Sequence, residues 1–165
     1  MDPGLAFGTG SHSTTSLCLE WLAGADVTNK RVIDYGCGSG VLSLAAASLG
    51  AASVYAYDND PQALTATKSN TVRNSLTDRI EIKKIDDDVS LPVDILMANI
   101  LLNPLLSLSD RFTLMVRPGG LIVLSGILSN QLDRCLQVYS SWVAFNEPMF
   151  KDEWVLMSGI CNLSK

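Results

Sequence analysis

Val32-Ile33-Asp34-Tyr35-Gly36-Cys37-Gly38-Ser39-Gly40 decides how the rest of the chain is read. A short apolar run carries an acid near its end, and three glycines then alternate with small residues. Glycine permits positive φ and lets the backbone approach a ligand closely. Arg31 to Tyr35 reads as a short buried strand, and a helix follows from about Val41 to Leu49, stopped by Gly50. Open α/β sheets bind ligands outside the carboxyl ends of their strands. A helix starting there offers unpaired N–H groups and a partial positive charge.

Outward from this loop the pattern repeats. Residues 1–12, rich in Gly and Pro, read as a leading loop, and Ser13 or Thr14 can cap a helix running to about Ala23. Downstream, Ser53 to Tyr57 is a strand ending in Asp58, and Pro61 suits the first turn of a helix to about Arg73. Strands follow at Ile80–Lys83 and Val93–Ala98, then a helix over Pro104–Val116 closed by Pro118-Gly119-Gly120. Leu121–Ser125 is a strand and Gln131–Ser141 a helix. Alternating strands and helices predict a parallel sheet covered on both faces. The last two strands, Val143–Phe150 and Glu153–Cys161, are joined by a short turn and can pair only antiparallel. The expected fold is a single α/β domain over residues 1–165. Its sheet is doubly wound, seven-stranded and mostly parallel, with a C-terminal antiparallel hairpin.

The loop and its neighbours narrow the ligand. A dinucleotide fingerprint, G-x-G-x-x-G/A, places Val41 or Ser43 at its last position, so it fails in either register. Asp58 lies 18 residues after Gly40 and ends the next strand. A carboxylate there can accept two hydrogen bonds from vicinal ribose hydroxyls. Asp86, Asp87 and Asp88 follow the third strand, either as a solvated acidic loop or with Asp86, nearest the strand end, in the site.

Composition excludes several other classes. The chain has 165 residues, 47% of them apolar, enough for one full core. No apolar window is long enough to span a bilayer, and no signal peptide is visible, so a cytoplasmic location is expected. Four cysteines lie outside any C-x-x-C pair and there is one histidine, so no metal site is expected and the thiols read as buried apolar groups. Net charge is −5 with no basic run. Phosphate-backbone binding needs clustered Lys and Arg, so no direct nucleic-acid binding is expected. A basic protein substrate suits the charge sign.

Asp34, Gly36, Gly38 and Gly40 form an acid-x-G-x-G-x-G spacing that resembles the nucleotide loop of class I methyltransferases. The resemblance becomes narrower at Asp2-Pro3-Gly4-Leu5-Ala6-Phe7-Gly8-Thr9-Gly10-Ser11-His12-Ser13-Thr14-Thr15, which is similar to the signature preceding that loop in the PrmA family. It continues through AYDNDPQAL, MANILLNPL, SGILSNQ and DEWVLMSG. Ser11 and Ser13 replace the family's usual Thr and Pro around the histidine. PrmA enzymes trimethylate amino groups of a large-subunit ribosomal protein.

The resemblance implies S-adenosylmethionine as cofactor. Its contacts fall on Thr15, Gly36, Asp58 and Asn99, with Gly38 and Gly40 in the loop, Phe7 closing over from the leading loop, and Asp86 at the adenine. The helix N-terminus would then face the methionyl carboxylate. Asn99 is the expected transfer residue, its side-chain carbonyl accepting a hydrogen bond from the attacking amine. Many nucleic-acid and glutamine N-methyltransferases carry Asn-Pro-Pro-aromatic here. This chain reads Asn99-Ile100-Leu101-Leu102, without the aromatic that would stack a planar group, which favours an aliphatic amine. The implied partner is a large-subunit ribosomal protein, methylated by a monomer on lysine or N-terminal amines. The family's separate N-terminal recognition domain is expected to be absent from this chain. The alternatives are a small-molecule or other N-methyltransferase, and a cofactor-binding module inactive without that domain.

Overall fold

The computed structural model describes residues 12–87 and 92–162. Phe7, Asp88 and the leading loop up to residue 11 lie outside the described residues. Helix α1 spans Ser13–Gly24, β1 Arg31–Tyr35, α2 Val41–Ser48, β2 Ser53–Asp58, α3 Pro61–Arg73, β3 Ile80–Lys84 and β4 Val93–Asn99. Then come α4 Leu102–Met115, β5 Val116–Leu128, α5 Leu132–Tyr139, β6 Val143–Phe145, β7 Met149–Lys151 and β8 Trp154–Cys161. The sheet order is β3-β2-β1-β4-β5-β8-β6, with β7 also paired to β8. The first five strands pair in parallel, and β8 runs antiparallel to β5, β6 and β7. The expected doubly wound sheet with an antiparallel C-terminal hairpin is present.

Side chains alternate along the central strands and so serve two cores. Val32, Ile95, Met97 and Val123 pack with Leu17, Leu22, Leu42 and Leu44 of α1 and α2. Ile33, Leu96, Ala98, Ile122 and Leu124 pack with Leu105, Phe112 and Tyr139 of α4 and α5. Both faces of β1 and β4 are therefore covered, which explains why these strands are mostly apolar rather than alternating, with Asp34 and Asp94 as the interruptions.

Local chemistry sets the helix starts, with some differences from expectation. The cap of α1 is His12 rather than Ser13 or Thr14; its Nδ1 accepts from the Thr14 amide at 3.3 Å. Helix α3 begins as expected, with Asp60 capping the Gln62 amide at 2.8 Å and Pro61 in the first turn. Helix α4 starts two residues before Pro104, which is tolerated in a first turn because the proline's missing N–H had no intrahelical partner to lose.

The expected strand Val143–Phe150 is two strands, β6 and β7, separated by Asn146–Pro148. Pairing shifts by one residue across this gap, from Phe145↔Gly159 to Met149↔Leu156. Proline has no N–H for the ladder, so the strand breaks there.

Candidate active site

A cavity of about 760 Å³ opens at the carboxyl ends of β1, β2 and β4. Its floor is the glycine loop, which is held from two sides. Gly36 and Cys37 donate to the Tyr57 carbonyl at 2.8 and 2.9 Å. From α3, Thr67 donates to the Gly38 carbonyl at 3.0 Å and Asn70 to the Ser39 carbonyl at 2.9 Å. Gly36 and Gly40 have φ of 79° and 80°. A Cβ on Gly36 would lie 2.3 Å from Ile100 Cγ2, and one on Gly40 would lie 2.8 Å from Thr67 Cγ2. The alternation of glycines thus answers both a backbone conformation and a lack of space.

Asp34 is buried beneath this loop at the edge of the cavity, and its carboxylate is bonded to α2. Its Oδ2 accepts from the Ser43 hydroxyl at 2.6 Å and from the Ser43 amide at 3.0 Å. Burial pushes its carboxyl up to about 6, opposed by the two Ser43 bonds and assisted by the nearby Asp58 charge. Gly40 caps α2 without a side chain, and Val41 and Leu42 of the first turn line the cavity. The positive end of that helix is therefore presented to the cavity.

Asp58, 8% exposed, stands at the end of β2 on the cavity wall. One carboxylate oxygen accepts from the Gly38 amide at 2.9 Å, the other from the Asp60 amide at 2.9 Å. Each oxygen keeps lone-pair capacity for one further donor. The pair of bonds fixes the carboxylate plane, which is what recognition of two adjacent hydroxyls requires. Ile85 lines the cavity after β3, and Asp86, the next residue, is exposed.

Asn99 ends β4 on the opposite wall. Its amide nitrogen approaches the buried Thr15 hydroxyl of α1 at 3.4 Å, and no hydrogen bond to its carbonyl oxygen is found among the described residues. Asn99 does not cap α4; Leu101 occupies that position. Ile100 is wedged between two glycines. A Cβ on Gly126 would lie 2.3 Å from the Ile100 carbonyl oxygen, and Gly36 faces its side chain. The two glycines let β4 deliver Asn99 into the cavity beside the loop.

His12 and Trp154 complete the rim, with ring centroids 5.1 Å apart in an edge-on arrangement. The structure brings Thr15, Gly36, Gly38, Asp58 and Asn99 onto one cavity, with Gly40 at the start of the helix that faces it. Sequence reasoning missed Thr67, Asn70, Ile100, Gly126 and Trp154. The two glycine contacts of Ile100 had no local signal, because they depend on β4 lying between β1 and β5. Trp154 lies within the DEWVLMSG resemblance, but nothing in that segment assigned it to the site. All four cysteines are free and buried, and burial raises each thiol; among the described residues no cluster could hold a metal ion. Nor, among the described residues, is any helix long and apolar enough to cross a membrane.

The family model for ribosomal protein L11 methyltransferase (PrmA) matches residues 1–161. The chain belongs to that family. It is 53% identical over 161 residues to the ribosomal protein L11 methyltransferase of Methylococcus capsulatus, covering 97% of this chain and 55% of the relative. With the enzyme of that name from Nitrosococcus oceani the identity is 48% over 159 residues, 96% of this chain and 54% of the relative. The chain thus spans about half the length of these curated relatives. The crystal structure of a ribosomal protein L11 methylase from Lactobacillus delbrueckii superimposes with a TM-score of 0.89 at 32% identity, covering 99% of this chain and 84% of that one. An RNA methyltransferase from Salinibacter ruber, solved with S-adenosyl-L-homocysteine, shares the fold at TM-score 0.74 and 16% identity, over 91% of this chain and 93% of that one. PrmA membership agrees with the resemblance carried by the leading segment and by Asn99-Ile100-Leu101-Leu102.

Proposed function

We propose that this domain binds S-adenosylmethionine and transfers its methyl group to amine nitrogens of a large-subunit ribosomal protein. The observation that carries this reading is the convergence of Asp58 and Asn99 on one cavity in a chain of the PrmA family. Relatives at about 50% identity are named for methylation of ribosomal protein L11. The cavity fits the cofactor. Asp58 is preset for a ribose, the glycine loop clears space for backbone contact, and α2 offers its positive end to a carboxylate. Gly38 and Gly40 shape that cradle, Thr15 holds the Asn99 amide, and Asp86 and Phe7 are assigned to the adenine side and the cover of the cavity.

The bound cofactor supplies a methyl group already activated on a sulfonium. The chain's task is then to position a neutral amine. Neutralising a lysine at pH 7 costs about 4–5 kcal/mol and an α-amine about 1–1.5 kcal/mol. Burial beside a positive centre lowers both, because each disfavours the ammonium. Asn99 meets the remaining need. Its side-chain carbonyl accepts an N–H of the amine and so aims the nitrogen lone pair, while the amide nitrogen faces the Thr15 hydroxyl. His12 keeps a structural role, its Nδ1 committed to the start of α1. The reading includes a cytoplasmic monomer that makes no direct nucleic-acid contact, with most substrate docking supplied by chain corresponding to the relatives' remaining length.

Calorimetry with S-adenosylhomocysteine and with NAD tests the cofactor, and mass spectrometry of ribosomal protein L11 after incubation with methyl donor tests the transfer. Asn99→Ala is expected to lower the transfer rate by about 10²-fold or more while weakening cofactor binding far less. Tight NAD binding without an S-adenosylhomocysteine signal, or full transfer by the alanine variant, would overturn the reading.

A further inference from the structure

Helix α4 begins against the usual rule. Its cap, Leu101, makes no side-chain hydrogen bond, although Ser, Thr, Asp and Asn are preferred there and leucine ranks among the poorest choices. The same side chain is 68% exposed, yet it lines the cavity two residues after Asn99. A single exposed leucine is ordinary. A leucine that gives up a helix cap at the rim of a site breaks a local preference, and such conflicts gather where function overrides stability.

The wall it belongs to is apolar. Ile100, Pro104 and Leu108 continue it into the cavity, whereas Asp58, Asn59 and Asp60 form a polar wall from the end of β2. A cavity divided in this way can hold a polar nucleoside on one side and a hydrocarbon chain on the other. Lysine presents four methylenes before its amine; an N-terminal α-amine presents none.

We infer that Leu101 is a specificity-determining residue that covers the methylene stem of a lysine acceptor and so favours lysine over α-amine methylation. The inference rests on the function proposed above. With the stem against Leu101, the amine reaches Asn99 with its chain out of water, and each buried methylene strengthens the lysine arm alone.

Leu101→Ser separates this role from a structural one, because serine is the better cap. The variant is expected to melt at the same temperature or higher and to bind S-adenosylhomocysteine as the parent does. Ribosomal protein L11 would be incubated with excess protein and methyl donor, and mass spectrometry would give the ratio of lysine to N-terminal methylation. That ratio is expected to fall about tenfold in Leu101→Ser, equivalent to roughly two buried methylenes, and to be retained in Leu101→Met. An unchanged ratio overturns the inference and leaves the proposed function standing. So does a loss of S-adenosylhomocysteine affinity, which would assign Leu101 to the cofactor wall. Excess protein offsets weak docking, so a parent chain that still methylates neither kind of amine overturns the proposed function, and this inference with it.

Discussion

Gly36→Ala offers the sharpest test of the packing beneath the cavity. Two costs are expected, and they are separable. The first is conformational: φ at Gly36 is 79°, and an L side chain in the left-handed region costs about 1–2 kcal/mol. The second is steric: the new methyl would sit 2.3 Å from Ile100 Cγ2, where carbon atoms prefer roughly 3.5–4 Å. Overpacking of this kind costs about 1–3 kcal/mol. Their sum is about 2–5 kcal/mol, and at roughly 2–4 °C per kcal/mol for a chain of this size the melting temperature should fall by about 4–20 °C. Ile100→Ala removes the offending methyl. In that background Gly36→Ala should cost only its conformational part, giving a coupling of about 1–3 kcal/mol between the two sites. Urea melts of the four proteins in the cycle would measure it. If Gly36→Ala cost as much in the Ile100→Ala background as it does alone, the contact would not be the reason for the glycine.

Asp58→Ala should weaken S-adenosylhomocysteine binding by about 10²-fold or more in calorimetry, through loss of two charge-assisted hydrogen bonds worth about 1.5–3 kcal/mol each. It should also lower the melting temperature without ligand, because the Gly38 and Asp60 amides lose their acceptor; a ligand-free melting curve that did not move would count against those bonds. Asp34 predicts a pH dependence. Its folded value of about 6 lies above its ordinary value of 3.8, so its contribution is fullest below about 4 and is lost as pH rises through about 6. Between pH 7 and pH 5 the protein should gain about 1 kcal/mol relative to Asp34→Asn. Parallel stability curves for the two proteins would show that the buried carboxyl is not the source.

Some elements were legible because one short signal fixed them. Asp60-Pro61 begins α3 where expected, and its end at Arg73 also agrees. Strand β1 was readable because both of its faces are covered, which leaves Val32, Ile33 and Tyr35 apolar on both sides of Asp34. The break after Phe145 was not foreseen, although Pro148 states it plainly to anyone asking for a ladder donor. Strand β5 runs on to Leu128 rather than ending at Ser125, because β8 keeps pairing with it beyond a register shift at Gly126. At the site, Asp58 and Asn99 were legible as acids and amides at strand ends. Asp34 was legible as part of the spacing, but its partner, Ser43, was not. Trp154 could not be found, since its place beside His12 depends on the path of the whole sheet.

The tip of the β7–β8 turn is tied to α1. Lys151 reaches Ser16 at 2.6 Å and Glu20 at 2.7 Å, and Ser13 donates to Asp152 at 2.5 Å. The same helix holds Thr15 against Asn99. During synthesis the N-terminal side of a chain is made first. The glycine loop and Asp58 therefore emerge well before β8. Until that strand slots in beside β5, α1 lacks its clamp and the cavity lacks its Trp154 wall. A nascent chain can own nearly every residue that lines the cavity and still have no finished cavity, because its rim waits for the strand that carries Trp154.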